Sequence, residues 1–181
     1  MKKLLLTILI IIAMTGCINK ITPSDKVEYM LNKYIQNDDE IISELNTYLD
    51  MQELSKEQIE RYKNIIKTEY STLKYTIKDE NIDENNANVE AEVIVKDLYK
   101  PSKEAQNYLE TNPMEFYSDG IFDQDKFIDY KLNLMESSED VINYLISFSL
   151  TKKDNVWELD DLSDDTLEKI HGIYNYDNEK P

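Results

Sequence analysis

The chain of 181 residues carries 37 acidic and 20 basic side chains, a formal net charge of −17 at pH 7. Such a surface repels nucleic acid, whose affinity for proteins rests on basic contacts to phosphate, and it disfavours anionic lipid headgroups. With 41% apolar residues and 13 tyrosines the chain is too hydrophobic for a disordered tail, and its length suits one domain with a real core.

The N-terminus opens with Lys2 and Lys3, continues as an apolar run from Leu4 to Ala13 broken only by Thr7, and ends on Met14-Thr15-Gly16-Cys17. That is the order of a secretory signal. The apolar run is about half the roughly 20 residues needed to span a bilayer. The ending resembles the lipobox of bacterial lipoprotein precursors. In those proteins the cysteine is lipidated, palmitate among its acyl chains, and becomes the mature N-terminus. Cys17 is the only cysteine in the chain, so it has no disulfide partner here. This reading divides the chain into a signal peptide (1–16), a lipidated tether (17–21) and a single domain (22–181). It places the protein on the extracytoplasmic face of the cell membrane, reached through the lipid. Cleavage by an ordinary signal peptidase, or retention as a short anchor, are the alternatives.

Thr22-Pro23-Ser24-Asp25 reads as an N-cap, a first-turn proline and a capping-box acid. Val27, Met30, Leu31, Tyr34 and Ile35 then recur at helical spacing until Asn37-Asp38-Asp39. A second helix uses Ile41, Ile42, Leu45, Tyr48 and Leu49. Ser55-Lys56-Glu57-Gln58 caps a third, with Ile59, Tyr62, Ile66 and Tyr70 on its apolar side. The period then changes to two. Leu73, Tyr75 and Ile77 predict a first strand, followed by a polar connection. Ala87, Val89, Ala91, Val93 and Val95 predict its hairpin partner. A helix through Ala105, Tyr108 and Leu109 stops at Asn112-Pro113. Met114 to Phe122 reads as irregular, and Asp123 caps a helix carrying Phe127, Ile128, Leu132 and Met135. A long strand from about Val141 to Thr151 turns at Lys152-Lys153-Asp154-Asn155 and returns as Val156-Trp157-Glu158-Leu159. A last helix runs from Ser163 to Gly172. The fold class expected is α+β, with N-terminal helices packed on a curved antiparallel sheet of about four strands.

This element order looks like the NTF2-like (cystatin-like) α+β roll. Thr22-Pro23-Ser24-Asp25-Lys26-Val27 with Asn37-Asp38-Asp39, and the hairpin from Leu150 to Leu159 with its Trp157, are similar to segments of uncharacterised Gram-positive lipoproteins of that superfamily. The chain departs from them in having Asn155 where such turns favour glycine, and extra helices around 45–70 and 127–135. The resemblance implies a concave face enclosed by the roll. Enzymes of the superfamily place an Asp and a Tyr or His inside that cone, so Tyr75, Tyr144 and Tyr130 are candidates to point there. Core or interface packing is the alternative for each, and for Trp157, which is expected to fill the core between the sheet and the opening helix.

Asp79-x-Asn81-x-Asp83-x-Asn85 with Glu90 at the twelfth position has the ligand spacing of an EF-hand calcium loop, but Glu84 replaces the turn glycine and the flanks read as strands. A solvated hairpin turn is the expectation, with no metal. Asp160-Asp161 with Asp164-Asp165 reads as helix capping and surface charge. His171, the only histidine, lacks partners for a zinc site and is expected as a charged residue at a helix C-terminus. No phosphate-binding loop or dinucleotide fingerprint appears, so no cofactor is expected. The function expected is a non-catalytic binding or interaction module of the cell envelope, taking a small ligand or an envelope protein. The alternatives are a small enzyme of isomerase or dehydratase type, with an acid or base in the roll cavity, and a homodimer formed through the sheet.

Overall fold

The computed structural model describes residues 21–179. The signal segment 1–16, Cys17 and the tether through Lys20 lie outside the described residues. Among the described residues no helix is long and apolar enough to cross a membrane.

The fold is α+β: among the described residues there are six α-helices and a four-stranded antiparallel sheet. Helices α1 (Pro23–Ile35), α2 (Asp39–Asp50) and α3 (Lys56–Thr72) come first. The Thr22 hydroxyl accepts from the Asp25 amide at 3.1 Å while the Asp25 carboxylate accepts from the Thr22 amide at 2.7 Å. The Ser55–Gln58 pair repeats the arrangement at α3. Both boxes satisfy helix-end donors that would otherwise lack partners.

Strands β1 (Lys74–Asp83) and β2 (Asn86–Lys96) form a hairpin, and β5 (Val141–Lys153) and β6 (Val156–Leu159) form another; the spatial order is β1-β2-β5-β6. Between the hairpins lie α4 (Tyr99–Thr111), a short hairpin of β3 (Tyr117–Ser118) and β4 (Ile121–Phe122), and α5 (Gln124–Ser137). Helix α6 (Asp164–Ile170) follows the sheet. Register pairs Val89 with Phe148, Ala91 with Ile146 and Val93 with Tyr144, so the small residues of β2 face the large ones of β5 on one buried face. Helices α1 and α3 cover that face, α2 packs on α3, and α5 packs on α3 and α4. Trp157 is 7% exposed and belongs to the same core.

Three stretches differ from the sequence expectation. Strand β1 continues to Asp83, where a polar connection was expected. Its outer half is exposed and is held by backbone pairing to β2 across a register shift between Ile77 and Asp79. The Glu80 carboxylate also accepts from the Ser24 amide and hydroxyl at 2.8 and 2.6 Å, tying the hairpin to the start of α1. The stretch expected to be irregular holds the β3–β4 hairpin, because Asp119 (φ 53°) and Gly120 (φ 80°) make its two-residue turn. Helix α4 begins before Pro101, its Lys100 amide donating to the Asp97 carboxylate at 2.9 Å.

Candidate ligand pocket

Three helix stripes converge on one hollow. Ile41, Glu44, Leu45 and Tyr48 recur along one side of α2, Tyr62, Ile66 and Tyr70 along α3, and Asp164, Leu167 and Glu168 along α6. Each set has the three-to-four-residue spacing that puts side chains on one helix face. Tyr34 from α1, with His171 and Ile173 after α6, closes the hollow. The volume is about 390 Å³, within the range of small-molecule sites. Asn37 sets the angle between α1 and α2. Its backbone is left-handed (φ 52°), and its amide donates to the Lys67 carbonyl at 3.2 Å and the Ser71 hydroxyl at 2.7 Å, pinning the turn to α3.

The deep wall is aromatic. Tyr34 and Tyr70 meet edge to face with ring centroids 5.1 Å apart, and His171 lies 6.0 and 5.6 Å from them. The Tyr70 hydroxyl is 2.8 Å from His171 Nδ1. Burial pushes the imidazole down to about 4 and Tyr34 up to about 12, helped by the Glu44 carboxylate. Tyr62 and Tyr70 are also raised, burial again being the main cause. At neutral pH the wall is therefore uncharged. His171 stands at the helix end where it is expected, capping α6 with its backbone amide, but burial makes it a neutral ring, so it does not complement the negative helix terminus with a charge. The Tyr70 hydroxyl and Nδ1 share one hydrogen bond, whose donor is set by the tautomer of the neutral ring.

The rim is acidic. Glu44 and Asp164 are exposed and Glu168 is half-buried, and no lysine or arginine lines the pocket. Among the described residues none of these three carboxylates forms an ion pair. The surroundings can hold an apolar body against the rings and a polar or charged group at the mouth. A raised tyrosine and a neutral, hydrogen-bonded imidazole are poor bases at pH 7.

Tyr75, Tyr144 and Trp157 lie elsewhere. Tyr75 is half-buried on β1 and accepts a hydrogen bond from Asn32 at 2.9 Å. Tyr144 is buried on β5, edge to face with Tyr174 at 5.9 Å. Trp157 lies under the Lys152 ammonium, 5.2 Å from its ring centroid. Tyr130 stacks on Tyr108 at 5.0 Å. None of the four lines the pocket. The acidic stretch from Asp79 to Glu90 is a hairpin in which Asp79 pairs with Glu90 and Asp83 with Asn86, a geometry unlike the EF-hand loop.

Sequence reasoning missed Glu69. It is fully buried in α3 beside Gly172, and among the described residues neither carboxylate oxygen has a hydrogen-bond partner. Burial raises its pKa well above the usual carboxylate range, Lys96 offsetting part of the effect. The signal that could have found it is helical phase: Glu69 falls seven residues after Tyr62 and three after Ile66, on the apolar side of α3. No protein-family model matches the chain, and no curated protein or solved structure is significantly similar to it.

Proposed function

We propose that this chain is a lipid-anchored cell-envelope protein whose domain is a non-catalytic binding module with an NTF2-like roll, and that its ligand occupies the pocket between α1, α2, α3 and α6. The observation that carries the binding role is the hollow itself: about 390 Å³, walled by Tyr34, Tyr62, Tyr70 and His171, and open at an acidic rim. The order of helices, hairpin, helix and long Trp-bearing hairpin supports the roll. The anchor rests on Gly16-Cys17 after a short apolar run, and on the capped start of the domain only five residues later at Thr22. The lipid would hold the pocket close to the membrane on its outer face.

The Tyr70–His171 hydrogen bond favours a second reading, a small enzyme of isomerase or dehydratase type. It is the weaker one, because both groups are neutral at pH 7 and neither pocket tyrosine nor imidazole is tuned toward proton transfer there.

Two measurements test the proposal. Cys17→Ala should abolish diacylglycerol labelling and membrane retention; unchanged labelling would remove the anchor. Indole added to the full chain should shift the amide resonances of Glu44, Tyr70 and His171, and Leu45→Trp, which fills the hollow, should suppress the shifts. Shifts unaltered by Leu45→Trp would remove the pocket from the account.

A further inference from the structure

Resting on the reading of this hollow as a ligand site, we infer that its ligand is an organic cation: an ammonium-type group carried on an apolar body. Three independent features select that class. The first is the wall. Tyr34, Tyr62 and Tyr70 line the hollow as neutral rings, Tyr62 the least buried of them, and a neutral tyrosine ring attracts a cation to its face while remaining a good apolar surface. His171 adds no positive charge to oppose it, since burial keeps it neutral.

The second is the rim. Glu44 and Glu168 line the hollow from two different helices, α2 and α6, and neither is neutralised by an ion pair among the described residues. Asp164 adds a third carboxylate, although its place in the first turn of α6 accounts for it equally well. The field of Glu44 reaches the deep wall, where it contributes to holding the Tyr34 and Tyr70 protons in place.

The third is where the neighbouring cations go. Lys169, on the same helix as Glu168, places its ammonium 4.3 Å from the Tyr174 ring centroid and 5.6 Å from that of Tyr144. Lys33, one residue from Tyr34, pairs with Glu40 and Asp38. Among the described residues no basic side chain lines this mouth. A ligand with a cationic head completes the pairing, and the net charge of −17 raises its local concentration. An anionic ligand would meet only like charge.

The test compares three probes of similar size on the full chain at pH 7.5 by NMR titration: phenethylammonium, 2-phenylethanol and 3-phenylpropionate. Phenethylammonium is expected to bind about tenfold more tightly than the alcohol, the carboxylate to bind more weakly than either, and the first two affinities to converge in the Glu44→Gln, Glu168→Gln variant. Equal affinities for ammonium and alcohol in the wild-type chain would overturn the cation assignment while leaving the pocket as a ligand site. Tighter binding of the carboxylate would do the same. If none of the three shifts the pocket amides, both the cation assignment and the pocket reading fall.

Discussion

The Tyr70 hydroxyl lies 2.8 Å from Nδ1 of His171, joining residues 101 positions apart in the chain. The bond spans α3 and the end of α6, so it fixes the depth of the pocket and fastens the C-terminal segment to the helical layer. Burial at the same place keeps that histidine neutral at pH 7.

That neutrality makes stability depend on pH in a defined window. The folded imidazole is held at about 4, below its ordinary value of 6.5. Between those values the unfolded chain takes up a proton and the folded one does not. Stability should therefore be nearly unaffected by this group well above pH 6.5 and should fall as pH drops toward 4, by a total of about 3 kcal/mol. Urea unfolding at pH 7, 6 and 5 would reveal the slope, and His171→Phe should flatten it. An equal slope in that variant would assign the acid sensitivity to other groups.

Glu69 has the opposite sign. Its folded pKa is raised, so the folded state keeps a proton that the unfolded state loses above about pH 4.5, and stability declines as pH rises toward the folded value. Glu69→Gln should be more stable than wild type at pH 8, and the difference should shrink steadily as pH is lowered to 5. A variant less stable than wild type at both values would mean that the ionised carboxylate is required.

Much of the fold is legible in the sequence because it is local. The Thr22, Ser55, Asp123 and Ser163 caps announce four helices, and all four side chains accept the expected backbone hydrogen bond. Alternation in 87–95 and 142–150 announces the buried sheet face. The pocket is not legible in this way. Its walls are single stripes of separate helices, and each stripe reads equally well as core. Gln58 illustrates the limit: its role in the capping box is visible in sequence, but its side-chain contacts with Asp125 and Asp129 of α5 are not. The resemblance to the roll points Tyr75 and Tyr144 into a cavity against the sheet, whereas the hollow opens among the helices.

Gly172 is a position where only glycine fits. Its φ is +70°, and an added Cβ would lie 2.1 Å from the Lys96 carbonyl oxygen. Its own carbonyl accepts from the Leu98 and Tyr99 amides at 2.8 and 3.0 Å, which starts α4. Gly172→Ala should destabilise by on the order of 2–3 kcal/mol, read as a lowered midpoint in urea. An unchanged midpoint would show that the contact yields freely.

Trp157 is packed in the core shared by the sheet and α1. Trp157→Ala should cost about 3–5 kcal/mol, a large part of the 5–15 kcal/mol that holds a domain together. Circular dichroism of the variant should show a largely lost or sharply lowered thermal transition. Near-native stability would contradict its place in the core.

The central claim is that ligands enter the hollow among the helices. The competing apolar surface is the β3–β4 hairpin and the turn before it, where Met114, Ile121 and Phe122 are exposed. Intermolecular nuclear Overhauser contacts from bound indole separate the two directly. The account predicts contacts to the Tyr34 and Tyr70 ring protons and the Ile66 methyl groups. Contacts to Met114, Ile121 and Phe122 in their place would contradict it.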